Sequence, residues 1–532
     1  YVNRFRIWQP FIIAVALAFG FLVGYRMSRS HADDFLKFSF GRFQKINDVI
    51  NFISQEYVDT VDTDNLMDAT IYDILHSLDP HSSYIPSAEL QAVNEPLEGN
   101  FDGIGIEFHV QEDTIMVVGA ISGGPSEQLG IRAGDRIVEV DGKNVAGIHI
   151  TNSQVMKALR GPGGTKVKVS IFRRGAPKIS EFLIVRGKIP IYSVDVGYMA
   201  APGIGYIKIS HFAENTYQEF SEALQKLQQR GMKKLILDMR GNPGGYLRTA
   251  IQIADEFLPD GKLLVYTEGR SRKREEYRAS EDGNFETGEV LVLIDEGSAS
   301  ASEIVAGALQ DWDRAQIMGR RSFGKGLVQE QSEFSDGSAI RLTVARYFTP
   351  TGRCIQKPYD LENGEYENEL AERVKRGELS NADSIRFSDS LKYKTPGGKI
   401  VYGGGGIMPD LFVPIDTTGI SDFFSESSAL GLVSQFAYDY LDKHRSDFSK
   451  FKDFDQFNGG FQINASIYSQ FVQYARGNGV VAKDGVDNSQ QLICNQLKAL
   501  IARQLWKNDG FYPIIHLQDA TFRQAVSRLT GK

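Results

Sequence analysis

"EVLVLIDEGSASASEIVAGALQD", Glu289 to Asp311, passes from an unbroken apolar run through a glycine turn and alternating serines into a segment with helical spacing. A strand with one face in water alternates apolar and polar residues, so a continuous apolar run implies burial on both faces. The neighbouring chain repeats the pattern. "GIGYIKIS" precedes an amphipathic helix at Thr216–Gln229, and "KKLILDMR" precedes a helix at Leu247–Leu258. "KLLVYTEG", "AQIMGR" and "SAIRLTVARYF" continue the run as strands. Strand and helix in alternation predict a largely parallel sheet covered on both faces.

The opening stretch also has the form that presents a reactive hydroxyl. A sharp strand-to-helix junction exposes a side chain beside the free N–H groups and positive dipole end of the helix. Ser298, Ser300 and Ser302 all sit there, although serine before a helix equally suits capping. A serine hydroxyl needs a base. Of the eight histidines, His211 in "KISHFAEN" lies within the α/β segment and permits a Ser-His-Asp arrangement. The alternative is Lys325 in "GRRSFGKGLVQEQ", between Gly324 and Gly326, which allow close backbone approach. As a base it must be neutral near pH 7. Lowering a lysine from about 10.4 toward 7 or 8 costs roughly 4 kcal/mol, so apolar neighbours such as Phe323, Leu327 and Val328 are required.

Upstream, the texture is short alternating strands: "GIGIEFHV", "TIMVVGAI", "DRIVEVDG" and "VKVSIFRRG". With "FDGIGI" (Phe101–Ile106) and "GPSEQLGIRAGDRIVEVDG", the segment Glu98–Gly187 resembles a PDZ domain. The resemblance implies that the loop of Gly103, Ile104, Gly105 and Ile106 holds a C-terminal carboxylate on backbone N–H groups, while the next strand pairs with the ligand. Before it, "INDVINFISQEYV" puts Ile46, Val49, Ile50, Ile53 and Tyr57 on one helical face, and "MDATIYDILHSL" ends at Pro80. Asp79, His81 and Ser82 read as a capped turn, not a triad. Lys357–Tyr393 reads as a polar, exposed insertion with one helix, and Asp422–Lys532 as an aromatic-rich helical region for packing or dimerisation.

Composition sets the outer bounds. A chain of 532 residues with 42% apolar and 24% charged residues is globular and multidomain. A net charge of −8 without a basic face argues against a nucleic-acid partner. Two cysteines, Cys354 and Cys494, exclude a structural zinc site and a disulfide framework, and read as free thiols. After Arg4 and Arg6, the uncharged run Phe11–Tyr25 reaches about 27 Å as a helix if counted from Trp8, close to a bilayer core. With no convincing cleavage site, it reads as an uncleaved signal anchor with the bulk of the chain exported.

"GSASASEI" with "FGKGLVQ" resembles the C-terminal processing peptidase (tail-specific protease) family, which joins a PDZ domain to a serine/lysine protease core of crotonase-like or ClpP-like fold. "LDPHSSY", "LILDMRGNPGG", "RYFTPTGRCIQKP" and "GGGGIMPDLFVP" match family segments in family order, so the resemblance spans Ile46–Pro414. It implies a nucleophile at Ser300, a general base at Lys325, and Gln329 orienting the amine. It also implies an oxyanion hole from the N–H groups of Ala301 and Gly245, with Gly244 the alternative. Ser302 is then a cap and Glu303 a first-turn acid on the helix dipole. No cofactor or metal is implied. The expected molecule is multidomain α+β: signal anchor 1–30, helical segment 31–97, PDZ domain 98–187, protease core 188–420 and helical accessory region 421–532. It acts on protein C-terminal tails from a single-pass inner-membrane position facing the periplasm, and a homodimer is a further expectation. A non-catalytic PDZ scaffold and a crotonase-like acyl-CoA enzyme are the rival readings.

Overall fold

The computed structural model describes residues 44–531 except 112, 282, 360–364, 483–485 and 487. The expected anchor, Phe11–Tyr25, lies outside the described residues. Among those described, no helix is long and apolar enough to cross a membrane. The chain divides into two units, to Pro86 and from Ser87 onward. In the first, helices 44–56 and Thr63–His76 follow one another, the second capped by Asp62. Of the apolar stripe expected there, Ile50 is buried while Ile46 and Val49 stay exposed, as does Tyr57 just beyond the first helix. Asp79 accepts from the amides of His81 and Ser82 and from the Ser82 hydroxyl, the capped turn expected there.

In the second unit a six-stranded sheet runs in the order Val194–Ala201, Ile204–Ile209, Lys234–Asp238, Glu289–Ile294, Ala315–Gly319, Leu411–Phe412. The first pair is antiparallel and every other pairing is parallel. Successive parallel strands are added in one direction, and right-handed crossovers then place their helices on one face. Helices Thr216–Gln229, Leu247–Asp255 and Ala301–Asp311 all lie there, burying Phe220, Leu224, Ile253, Ile304 and Leu309 against Ile207, Leu235, Val292 and Ile317. The opposite face, with Tyr206, Ile236, Leu291 and Leu293, is covered by the last helix, Ala520–Thr530, through Phe522, Ala525 and Leu529. Both faces are therefore buried, as the apolar strands required, but the second cover comes from the far end of the chain.

Two segments expected in that sheet lie elsewhere. Leu263–Glu268 and Ala339–Phe348 pair antiparallel with each other in a second sheet, which includes Glu275–Arg278 and Leu327–Glu333. The last of these joins Ala339–Phe348 through a hairpin tightened by Asp336, whose carboxylate accepts from the Ser338 amide and hydroxyl.

Strands Ile106–Gln111, Thr114–Ala120, Arg136–Val140, Lys166–Phe172 and Ser180–Val185 form an antiparallel sheet with helix Asn152–Leu159, around a core of Ile115, Ile137, Val155, Val167 and Ile184. Asn100–Gly103 pairs with Gly187–Pro190 and closes this module at its base. The C-terminal helices build their own core from Phe423, Phe436, Phe457, Phe471 and Ile493. They meet the β module through Asp442, which pairs with Arg136 and Arg174, and through the Tyr438 ring on His109, 4.7 Å between centroids. They meet the six-stranded sheet through Tyr512 on Asp195 and Asp519 on Arg240. Both cysteines are free thiols.

The far end of helix Ala301–Asp311 is fixed by an ion pair between Asp311 and Arg353, 2.7 Å apart and with both side chains fully buried. Arg353→Met leaves the Asp311 charge unpaired. The expected loss is about 3–5 kcal/mol in urea unfolding with an unchanged m-value. A loss below about 1 kcal/mol would show that water reaches Asp311.

Candidate active site

Ser300 ends the turn after strand Glu289–Ile294 and caps the helix that follows, with φ 53° and ψ −112°. That backbone is strained for a residue with a Cβ and costs of order 1–3 kcal/mol. Its surroundings hold it there. The Ser298 hydroxyl donates to the Met239 carbonyl and accepts from the Asp295 amide. The Ala299 amide and Ser302 hydroxyl both donate to the Asn242 carbonyl, so Ser302 ties the helix to the adjoining loop and is not its cap. Asn242 is fully buried and donates its own amide to the Ile209 carbonyl.

That loop, "RGNPGG", lies directly against the serine. A Cβ on Gly244 would come within 2.7 Å of the Ser300 Cβ, and one on Gly245 within 1.9 Å of the Phe212 carbonyl oxygen. Gly244 donates its amide to Asn242 Oδ1 at 2.9 Å. The amides of Gly245 and Ala301 have no such partner among the described residues.

Glu303 stands in the first turn of the helix, as expected, and does more than face the dipole. It is fully buried, and its carboxylate accepts from the amides of Ser300 (2.8 Å), Gly324 (2.7 Å) and Lys325 (2.9 Å) and from the Ser322 hydroxyl. One carboxylate thus binds the serine turn to the "SFGKG" loop. Burial pushes Glu303 up to about 7 against the pull of these donors. The glycines around Lys325 permit the approach foreseen for them: Cβ atoms there would fall 3.0 Å from the Gly406 amide nitrogen and 2.8 Å from that of Gln356. Lys325 is half-buried, and buried Leu327 follows it. Phe323 instead lies under the Lys357 amine, 3.9 Å from its ring centre. Gln329, on the strand Leu327–Glu333, donates its amide to Thr343 Oγ1. Ser300, Gly245 and Gln329 line one cavity of about 470 Å³ with Leu247, Ile251 and Val328.

The His211 ring lies against the Ser210 hydroxyl, 3.2 Å away, and neither His211 nor Lys325 lines this cavity, although the neighbours of Lys325 at Leu327 and Val328 do. Two participants were not legible in the sequence. The Tyr347 hydroxyl donates to the Lys325 carbonyl at 2.6 Å and lies 3.1 Å from that of Ser300. Arg373, from the supposedly exposed insertion, is 1% exposed and donates to the carbonyls of Ser322 and Phe323. Its charge is met by Glu369, so a run that looks solvated becomes a buried brace.

In the β module, Ile104, Gly105 and Ile106 line a groove of about 100 Å³ with Phe101, Met156 and Arg160. The Ile104 carbonyl accepts from Ser126, and that of Gly105 from the Ile121 amide, so the loop's oxygens are bonded away. Gly103 pairs with Gly187 and does not line the groove.

Because Glu303 keeps its proton in the folded chain at a pH where the unfolded chain has lost it, its contribution to stability is complete below about pH 4.5 and is lost as pH rises through 7. The expected loss over that window is ~3 kcal/mol. Urea midpoints measured from pH 4.5 to 8 are expected to fall more steeply for the wild type than for Glu303→Gln. Parallel slopes would place the titration elsewhere.

Comparison with known proteins gives the same organisation. Residues 203–362 match peptidase family S41, 116–173 match the PDZ domain, and 423–507 match a family of unknown function. The chain is 35% identical over 317 residues to the carboxy-terminal processing protease CtpA of Bacillus subtilis, covering 59% of this chain and 67% of that one. It is 37% identical over 323 residues to the carboxy-terminal-processing protease of Bartonella bacilliformis, covering 60% and 73%. Among solved structures, the photosystem II D1 C-terminal processing protease is 27% identical, with 70% of this chain and 87% of that one covered and a TM-score of 0.36. On the strength of the two sequence relatives, the chain belongs to the carboxy-terminal processing proteases of peptidase family S41 and is a serine-type peptidase with a PDZ domain.

Proposed function

We propose that this peptidase cleaves peptide bonds by acyl transfer at a Ser300–Lys325 centre and takes its substrates by their C-terminal tails. The observation that carries the reading is the shared binding of the Ser300 turn and the Lys325 loop by the Glu303 carboxylate, beside a cavity that can take a peptide. Ser300 attacks the peptide carbonyl, and Lys325 accepts its proton and passes it to the leaving amine. The Gln329 amide, with its NH2 held by Thr343, keeps a carbonyl oxygen to orient the lysine amine. The amides of Gly245 and Ala301 stabilise the oxyanion; Gly244, whose amide is spent on Asn242, does not. Water activated by Lys325 releases the acyl-enzyme.

The PDZ groove receives the substrate's terminal carboxylate on the backbone N–H groups at Gly103 to Ile106; Arg160 stands at the rim with its charge already paired to Glu95, 2.6 Å away. Placement in the cell envelope, as a single-pass inner-membrane protein facing the periplasm, rests on the run Phe11–Tyr25.

The test is cleavage of a loosely folded protein with an apolar C-terminus. Ser300→Ala and Lys325→Ala are expected to abolish turnover, and Gln329→Ala to lower kcat roughly 10- to 100-fold. Gly245→Ala, which drives a Cβ into the Phe212 carbonyl, is expected to remove activity as well. Amidation of the substrate's C-terminus is expected to raise KM at least about tenfold. Cleavage that persists in both Ser300→Ala and Lys325→Ala would overturn the centre, and equal KM values would remove the carboxylate from recognition.

A further inference from the structure

We propose that Glu303 and Tyr347 are paired positioning residues, a bracket that sets the distance between the Ser300 and Lys325 peptide units from both sides. The proposal rests on the Ser300–Lys325 reading and adds to it how two residues 25 positions apart are held in register.

The geometry is unusually closed. A single oxygen, Glu303 Oε2, receives the amides of Ser300 at 2.8 Å and Lys325 at 2.9 Å, so those nitrogens are no farther apart than the two bonds together. On the carbonyl side a single hydroxyl, that of Tyr347, donates to Lys325 at 2.6 Å and stands 3.1 Å from the Ser300 carbonyl. Each residue is thus held at its N–H and at its C=O, in both cases through an atom shared with the other. Each half of the bracket is itself anchored. Glu303 Oε1 takes the Ser322 hydroxyl and Gly324 amide, and the Tyr347 amide donates to the Gly326 carbonyl.

Neither side chain has solvent to turn toward: Glu303 is 0% and Tyr347 1% exposed. Burial also pushes the Tyr347 phenol well above its usual value, so it remains a donor throughout the working range. A bracket of this kind matters because a displacement of about 1 Å between nucleophile and base costs on the order of 100-fold in rate. Two loops joined only by apolar contacts have no comparable means of fixing direction, since dispersion and the hydrophobic effect are non-directional.

The experiment uses the full chain and two readouts: steady-state cleavage of a peptide, and the rate at which a small fluorophosphonate labels Ser300. The labelling rate bypasses the PDZ groove and reports serine reactivity alone. Tyr347→Phe is expected to lower kcat about 10- to 100-fold with KM within twofold, and to slow labelling in parallel. Glu303→Gln is expected to lose more. The double variant is expected to be no more than about threefold worse than Glu303→Gln, because both side chains act on one geometry. Labelling is normalised to the monodisperse folded fraction, so that a folding defect does not register as slow labelling. Tyr347→Phe with kcat and labelling within twofold of wild type would overturn the bracket, as would fully multiplicative losses in the double variant. Activity retained by Ser300→Ala would instead overturn the underlying centre, whatever Tyr347→Phe does.

Discussion

Everything around the site follows from one constraint: Ser300 must hold a left-handed backbone conformation at the end of a parallel strand. A chain does not stay there unless neighbouring groups over-determine it. Here they arrive from four directions. Ser298 and Asp295 fix the turn from within, Asn242 fixes it from the "RGNPGG" loop, Glu303 from the helix it begins, and Tyr347 from the second sheet. The strand order brings these groups together. Lys234–Asp238, which leads into the "RGNPGG" loop, is the direct parallel neighbour of Glu289–Ile294. Ala315–Gly319, on the other side, leads into the loop that carries Lys325. The serine sits at the carboxyl end of the middle strand, and its partners come from the strand ends on either side.

The same strand order accounts for the C-terminal helices. Because the crossover helices share one face, the other face of the sheet would be bare without a separate cover, and helix Ala520–Thr530 provides it. The preceding helix, Gln490–Ile515, breaks its regular backbone at Trp506 and Lys507. Beyond that break Asn508 and Tyr512 reach Asp195, and Asp519 reaches Arg240 at the start of the "RGNPGG" loop. On the other side, Tyr438 and Asp442 hold the PDZ domain at His109, Arg136 and Arg174. The region read from sequence as accessory therefore touches both the PDZ strand that follows the Gly103–Ile106 loop and the base of the loop beside Ser300.

What could be read in the sequence was what depends on local pattern. Continuous apolar strands, the glycine turns and the placement of Ser300 before a helix are consequences of neighbouring residues, and they appear where expected. Glu303 stands in the first helical turn as expected, but its burial was not legible, for a physical reason. An acid in a first helical turn favours the dipole wherever it sits, and nothing local tells that its carboxylate will be walled in by Ser322, Gly324 and Lys325. Arg373 and Tyr347 were illegible for the same reason. A charge-rich segment reads as solvated until its partners are known, and an aromatic residue in a strand reads as core until its hydroxyl finds an acceptor. The strands Leu263–Glu268 and Ala339–Phe348 were misplaced because an apolar run reports burial and says nothing about which sheet does the burying.

The site is also a case of polar specification inside an apolar layer. The sheet's helical face is closed by apolar contacts, whose attraction has no preferred direction. Asn242, Glu303, Ser322 and Tyr347 cannot slide, because a buried polar atom that loses its partner costs roughly 1–3 kcal/mol. Each bonds groups from a different segment: Asn242 joins the second strand to the loop after the third, Glu303 the helix to the lysine loop, Ser322 that loop to Glu303 and to the Ile407 amide, and Tyr347 the second sheet to the serine turn and the lysine loop. Moving any one loop breaks bonds in at least one other. Apolar burial supplies the stability of this layer, while the directional bonds among a few buried polar groups supply the position of Ser300 relative to Lys325, which chemistry at that pair would need.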